Sequence, residues 1–257
     1  MITGAVTFVT GGGRGIGRAI AHRFAHAGAR VVVAARSRDQ VERVAREVEE
    51  AGGSAHFAIC DVSSAESVRA AVDAAVERFG PVDILVNNAG YVEGAPLVKL
   101  DERLWNRILA VNLTGPYLCT RAVLPGMLER RRGRVINIAS IAARKGMAYT
   151  SAYCAAKHGV LGFTRAIALE VAQKGITVNA ICPGWVETEM TQAAIRRIVE
   201  KTGRGAGEAR RALEEMNPLR RFVRPEEVAA VALFLAGDDA SAITGQAYNI
   251  DGGEVMS

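Results

Sequence analysis

AVTFVTGGGRGIGRAIAHRFAHAG, residues 5–28, decides how the chain is read. A short β-branched run (AVTFVT, 5–10) enters a glycine-rich turn (TGGGRGIG, 10–17) that leads directly into a helical pattern (RAIAHRFAHAG). Glycines let a backbone turn sharply and approach a phosphate closely, and the helix N-terminus behind them attracts negative charge. Strand, glycine turn and helix in that order open a dinucleotide-binding unit. The spacing is Gly11-x-x-x-Gly15-x-Gly17 rather than G-x-G-x-x-G. No Gly-Lys-Ser/Thr follows, so the turn is not a P-loop.

The same alternation continues outward. Further strand candidates are RVVVAA (30–35), SAHFAI (54–59), DILVNNAG (83–90), RVINIAS (134–140), ITVNAICPG (176–184) and AYNIDGG (247–253). They are apolar on both faces, as strands of a helix-covered parallel sheet are. Amphipathic stretches such as RDQVERVAREVEEAGG and AESVRAAVDAAVERFG lie between them. The expected fold is α/β: a doubly wound, Rossmann-like parallel sheet of seven strands with helices on both faces. Residues 1–257 are expected to form one dinucleotide-binding domain, with a substrate-covering segment at about 189–217. Ligands of such sheets bind beyond the carboxyl ends of the strands, so the residues that follow each strand carry the reading.

Composition narrows the class. Apolar residues make up 49% of 257, enough for a large core, and no apolar run reaches the ~18 residues that span a bilayer. The start MITGAVTFVTGGG has no basic leader, so we expect no signal peptide, a cytoplasmic protein and no membrane partner. Cys60, Cys119, Cys154 and Cys182 form no CxxC pair and have no histidine at metal spacing, which points to reduced, mostly buried thiols and no metal. Residues 190–224 hold nine basic and four acidic side chains, which accounts for the whole net charge of +5. A nucleic-acid surface spreads its basic residues more widely and interleaves aromatics, so no nucleic-acid partner is expected.

The end of the second strand bears on the choice of cofactor. An acid there would bind a ribose 2′-hydroxyl, but VVVAARSR places Ala35 and Arg36 at that point. Arg36, with Arg14 from the glycine turn, suits a 2′-phosphate through charge-assisted contacts. NADP(H) is therefore the expected cofactor, with NAD(H) as the alternative. After the third strand, Asp61 either accepts from an adenine amino group or caps the next helix. After the fourth, Asn87-Asn88-Ala89-Gly90 combines small residues with side chains able to pin neighbouring strands.

Tyr153 and Lys157 lie four residues apart in a helical pattern, so they share one face. A cation beside a phenol favours the phenolate and makes a usable acid/base. Tyr149 has no lysine four residues on and precedes the helix. Ser140 closes the fifth strand candidate, where its hydroxyl can hold a carbonyl oxygen.

With TGGGRGIG (10–17), CDV (60–62), NNAG (87–90), the Asn112 of AVNLTG, NIAS ending at Ser140, YCAAK (153–157) and PGWVET (183–188), nearly the whole chain resembles the short-chain dehydrogenase/reductase family. The resemblance implies that Tyr153 transfers a proton and that Lys157 binds the nicotinamide ribose and lowers the tyrosine pKa. It implies that Ser140 orients the carbonyl and that Asn112 holds a water in a proton relay. The Ser-to-Tyr separation of thirteen selects Tyr153 over Tyr149. Cofactor contacts are implied for Gly11, Gly13, Arg14, Gly15, Ile16, Gly17, Arg36, Asp61, Val62, Asn88, Ala89, Gly90, Tyr153, Lys157, Pro183, Gly184, Val186 and Thr188. Thr188 is expected on the carboxamide, and Tyr149 and Trp185 join Ser140 as substrate contacts. No metal takes part in hydride transfer of this kind. A homotetramer is implied, packed through the helices bearing Asn112 and Tyr153 and through the C-terminal strand.

The substrate is a keto or hydroxy compound. A basic rim (the 190–224 segment with Arg130, Arg131, Arg132 and Lys174) suits a phosphorylated or acidic carrier such as coenzyme A or acyl carrier protein. The resemblance extends to 3-oxoacyl thioester reductases, polyketide ketoreductases and 3-hydroxybutyrate-type dehydrogenases. Two alternatives stand beside an NADPH-dependent reductase: an NAD-dependent secondary-alcohol dehydrogenase, and a nucleotide sensor without turnover. The intact Asn112, Ser140, Tyr153 and Lys157 set argues against the sensor.

Overall fold

The computed structural model describes residues 2–256. Its seven strands are β1 (Val6–Thr10), β2 (Arg30–Ala35), β3 (Ser54–Ile59), β4 (Ile84–Asn87), β5 (Gly133–Ile138), β6 (Ile176–Pro183) and β7 (Ala247–Ile250). They pair in parallel in the order β3-β2-β1-β4-β5-β6-β7, so the order in which strands are added reverses between β1 and β4. That switch point is where a crevice opens at the carboxyl edge.

Alternation along the strands feeds two cores. Val31 and Val33 of β2 point to one face and Val32 and Ala34 to the other. The first face is covered by α1 (Gly15–His26), α2 (Arg38–Glu50) and α9 (Pro225–Ala236). The second is covered by α3 (Ala65–Phe79), α5 (Gly115–Arg130) and α6 (Ser151–Val171). Helix α4 (Glu102–Leu109) runs into α5 through a π-helical turn, Ala110–Thr114. Helices α7 (Glu189–Thr202) and α8 (Ala206–Glu214) follow β6 and form a small core of their own from Ile195, Ala209, Leu213 and Phe222. No helix among the described residues is long and apolar enough to cross a membrane.

All seven predicted strands form, but four candidates run past the true ends, ITVNAICPG by the single residue Gly184. DILVNNAG stops pairing at Asn87, because the Asn88 and Ala89 N–H groups donate instead to Thr10 Oγ1 at 2.9 and 3.0 Å. RVINIAS stops at Ile138, so Ser140 does not end the strand; it starts the 3₁₀ turn Ile141–Ala143. AYNIDGG stops at Ile250, where the Asp251 carboxylate accepts from Gly253 and Val255 N–H.

The centre of the sheet carries a buried polar chain. Asn87 Nδ2 donates to Asn137 Oδ1 at 2.9 Å, and Asn137 Nδ2 donates to Thr164 Oγ1 at 2.9 Å. This ties β4 to β5 and β5 to α6, as the sequence reading anticipated for asparagines in NNAG. Asn137→Ala leaves the Asn87 amide and the Thr164 hydroxyl short of a partner, so it is expected to cost ~1–3 kcal/mol. Urea denaturation of the variant checks this; an unchanged midpoint contradicts it.

Candidate active site

The glycine turn is built by exclusion. A Cβ on Gly17 would lie 2.3 Å from Gly11 O, and one on Gly11 (φ +63) would lie 2.8 Å from Ala89 Cα. Only glycine lets the β1 turn press against the start of α1 and the end of β4. Asn88 Nδ2 bonds the carbonyls of Thr10 and Gly11 at 2.9 and 3.1 Å, and so locks the turn in place. Gly13 packs beneath Gln40 of α2, and Ile16 rests partly on the core. Helix α1 has no side-chain N-cap and no acid in its first turn, which leaves its first N–H groups for an anion.

Arg14 and Arg36 are both exposed, and neither side chain makes a hydrogen bond or ion pair among the described residues. Ala35 ends β2, so no acid opposes them. The Asp61 carboxylate accepts from Ser63 N–H at 3.0 Å and from its hydroxyl at 2.6 Å. Burial works against its ionisation, but the two Ser63 bonds and the nearby Arg36 outweigh burial and hold the carboxyl below its usual range. Asp61 does not cap α3. Ser64 does, accepting from Ser67 N–H at 3.2 Å.

Asn112 sits in the π-helical turn that joins α4 to α5. Its Nδ2 donates to Ile108 O at 2.9 Å and to Tyr91 O at 2.7 Å, and its Oδ1 accepts from Tyr91 N–H at 3.2 Å. One amide hydrogen and the amide oxygen thus hold the chain just beyond Gly90, while the other hydrogen ties back to α4.

Ser140, Tyr153 and Lys157 converge. Ser140 Oγ accepts from Ala142 N–H at 3.1 Å and sits near enough to the Tyr153 phenol to favour its ionised form. Tyr153 packs with Ile108, Ala152 and Ala156, where α4 meets α6. Lys157, one turn on, is buried; its Nζ donates to Ile138 O at 2.8 Å and lies 5.7 Å from the Tyr153 ring centre. Burial raises Tyr153 to about 12, against a smaller lowering by nearby Ser140. Burial likewise brings Lys157 from 10.5 down to about 8. Desolvation dominates both groups because both charged forms lie in an apolar pocket, and the ammonium is directed at a carbonyl. The phenol is therefore firmly protonated at neutral pH.

Other residues bound the crevice. Gly184 N–H bonds Ile250 O at 3.0 Å, and a Cβ on Gly184 would lie 3.0 Å from Asp251 Cβ, so the chain after Pro183 hugs β7. Thr188 caps α7 and brings its methyl within 3.1 Å of a Cβ built on Gly15, so it faces the glycine turn across the cleft. The side chains of Val62 and Val186 are buried in the two cores, which leaves only their main chains facing a ligand. Tyr149 has φ +65 and is 69% exposed; its carbonyl accepts from Ala95 N–H at 2.8 Å, which places it at the rim. Trp185 packs into the small core under α7 and α8, with its buried indole N–H unpartnered among the described residues.

The basic groups divide in two. Arg131 and Arg132 precede β5, and Lys174 precedes β6, at the amino edge of the sheet. In this chain they lie a strand's length from Ser140, and Arg130 and Arg131 bond the carbonyls of Val82 and Gln173. Around α7 and α8, Arg204, Arg210, Arg221 and Arg224 pair with acids. The side chains of Arg196, Lys201, Arg211 and Arg220 make no hydrogen bond or ion pair among the described residues. Sequence reasoning missed Glu187 as a partner of Arg210, because the two are 23 residues apart.

A family model described as enoyl-(acyl carrier protein) reductase matches residues 10–254. A Streptomyces coelicolor protein named as a ketoacyl reductase is 44% identical over 250 residues, covering 96% of each chain. A 3-oxoacyl-[acyl-carrier-protein] reductase of Synechocystis sp. is 40% identical, covering 99% of this chain and 98% of the relative. A crystal structure of an actinorhodin polyketide ketoreductase variant with NADPH superposes with a TM-score of 0.95 at 43% identity, covering 99% of both chains. With that fold, the glycine turn and the Ser140–Tyr153–Lys157 cluster, the chain belongs to the short-chain dehydrogenase/reductase family, oxidoreductases acting on C=O and CH–OH groups.

Proposed function

We propose that the chain is an NADPH-dependent ketoreductase acting on a 3-oxoacyl thioester. The observation that carries the reading is the convergence of Ser140, Tyr153 and the buried Lys157 at the same sheet edge as the glycine turn. The relatives' names support the ketone and the thioester. The uncapped α1 N-terminus and the unpaired Arg14 and Arg36 fit a phosphorylated dinucleotide. Gly11, Gly15, Gly17, Asn88, Asp61 and Thr188 shape its berth, with Lys157 and the chain from Pro183 to Val186 at the nicotinamide end.

Bound NADPH supplies the hydride. The protein does the rest. Ser140 and Tyr153 hydrogen-bond the ketone oxygen and hold its carbon in line. As negative charge grows on that oxygen, both donors strengthen, and the Tyr153 phenol passes its proton to it. Lys157, one turn below, stabilises the phenolate left behind. Asn112 keeps the chain beyond Gly90 in register beneath the site. Helices α7 and α8, within residues 189–217, cover the substrate, with Trp185 and Tyr149 at its walls. The unpaired Arg196, Lys201, Arg211 and Arg220 offer an acidic or phosphorylated carrier a surface close to that opening. Exposed Tyr117 on α5, Leu169 on α6 and the edge strand β7 suit a homotetramer, and a cytoplasmic location accords with the reading.

The test is oxidation of NADPH and of NADH by the purified protein with acetoacetyl-CoA. Faster turnover of NADPH supports the reading; no thioester-dependent turnover of either nucleotide removes it. The pH profile adds a second check. Lys157 is cationic below about 8 and Tyr153 keeps its proton to about 12, so reduction should slow first as pH rises through about 8. A rate that holds steady up to the ordinary lysine value, ~10.4, contradicts the assignment.

A further inference from the structure

One contact of the α7–α8 layer is built more carefully than a surface ion pair. Glu187 lies in the loop between Pro183 and α7, and Arg210 lies on α8. Arg210 Nη1 and Nη2 donate to the two Glu187 oxygens at 2.8 and 2.7 Å, and Arg210 Nε donates to Glu214 Oε1 at 2.7 Å. The guanidinium also stacks 4.8 Å from the Phe222 ring centre. Its face and its donor edges are all engaged, a geometry that fixes direction as well as distance.

The carboxylate is firmly mounted. Glu187 N–H bonds Val223 O at 2.9 Å, and Val223 N–H bonds Trp185 O at 2.8 Å, which closes a short parallel bridge at Val186. Helix α8 is less secure. It has nine residues and buries only Ala209 and Leu213. It follows α7 through Gly203 (φ +71), and neither Gly203 nor Gly205 has a neighbouring atom within 4 Å of a built Cβ. So short a helix does not hold its place by local propensity. What sets its position against the Trp185–Thr188 loop is the small core and the Arg210 contact.

We infer that Arg210 is a positioning residue that determines substrate specificity: through Glu187 it fixes how α8 seats on the loop that carries Trp185 and Thr188, and so how tightly the α7–α8 layer closes over the substrate. The inference rests on the reductase reading and adds that a single ion pair tunes which ketones fit. A closed cover favours small linear keto esters. A loosened one loses that grip and admits wider, fused-ring ketones.

The experiment compares ethyl acetoacetate with trans-1-decalone at saturating NADPH, using the full-length wild type, Arg210→Met, Glu187→Gln and the double variant. Each single variant is expected to raise KM for the keto ester roughly fivefold, the effect of losing a well-formed exposed pair, with kcat changed less than twofold. The kcat/KM ratio of decalone to keto ester rises by a similar factor. The double variant falls no further than either single one, because the two side chains act as one unit. Glu187→Gln preserves shape and carries the same test if Arg210→Met does not fold. Unchanged selectivity in active variants overturns the inference while leaving the reductase reading intact. A wild type inert to both ketones removes that reading, and this inference with it.

Discussion

Tyr153→Phe is expected to lower the rate of ketone reduction by roughly 10²–10⁴, the range for losing a positioned acid, while NADPH binding measured by nucleotide fluorescence stays within about twofold. The phenol is the acidic group beside Ser140, and burial keeps it protonated. Phenylalanine fills the same space among Ile108, Ala152 and Ala156, which separates chemistry from folding. Tyr149→Phe is the control. Tyr149 lies at the rim with its side chain mostly in solvent, so its variant should change KM at most. Equal losses in the two variants would show that proton transfer is not localised at Tyr153.

Arg36→Asp is expected to reverse the cofactor preference. One charge-assisted contact to a 2′-phosphate is worth about 1.5–3 kcal/mol, or roughly 10–150-fold in NADPH affinity. The new carboxylate would repel that phosphate and accept from a ribose 2′-hydroxyl instead. The Arg36 side chain makes no hydrogen bond or ion pair within the chain among the described residues, so its removal disturbs no internal contact other than a Coulombic one with Asp61. Arg14→Ala should weaken NADPH in the same sense but more mildly, because no charge is reversed. Dissociation constants for both nucleotides check this. An unchanged ratio would assign the two arginines to the solvent surface.

These expectations were legible in the sequence to different depths. The strands could be read because they are buried on both faces and therefore apolar without interruption. Their ends could not, since Asn88 and Ala89 look strand-like locally and leave the ladder only because Thr10, distant in sequence, offers its hydroxyl. The Tyr153–Lys157 pair follows from helix geometry alone. The direction of their pKa shifts does not, because it depends on how deeply α6 sinks against α4, which no local pattern encodes. Charge gave the least. The excess over 190–224 is real, yet Arg210 belongs to Glu187 and Glu214, Arg221 and Arg224 share Glu227, and the free cations reduce to a few. Pairing across 23 residues is a tertiary fact.

The account's central claim is hydride transfer to a ketone with Tyr153 as proton donor. It is tested most directly by single turnover of acetoacetyl-CoA with NADPH deuterated at the transferring position, followed by mass analysis of the product. We predict a hydroxyacyl product carrying the deuterium on its carbinol carbon for the wild type and none on the same timescale for Tyr153→Phe. Label on any other carbon, or equal yield from the variant, would contradict it.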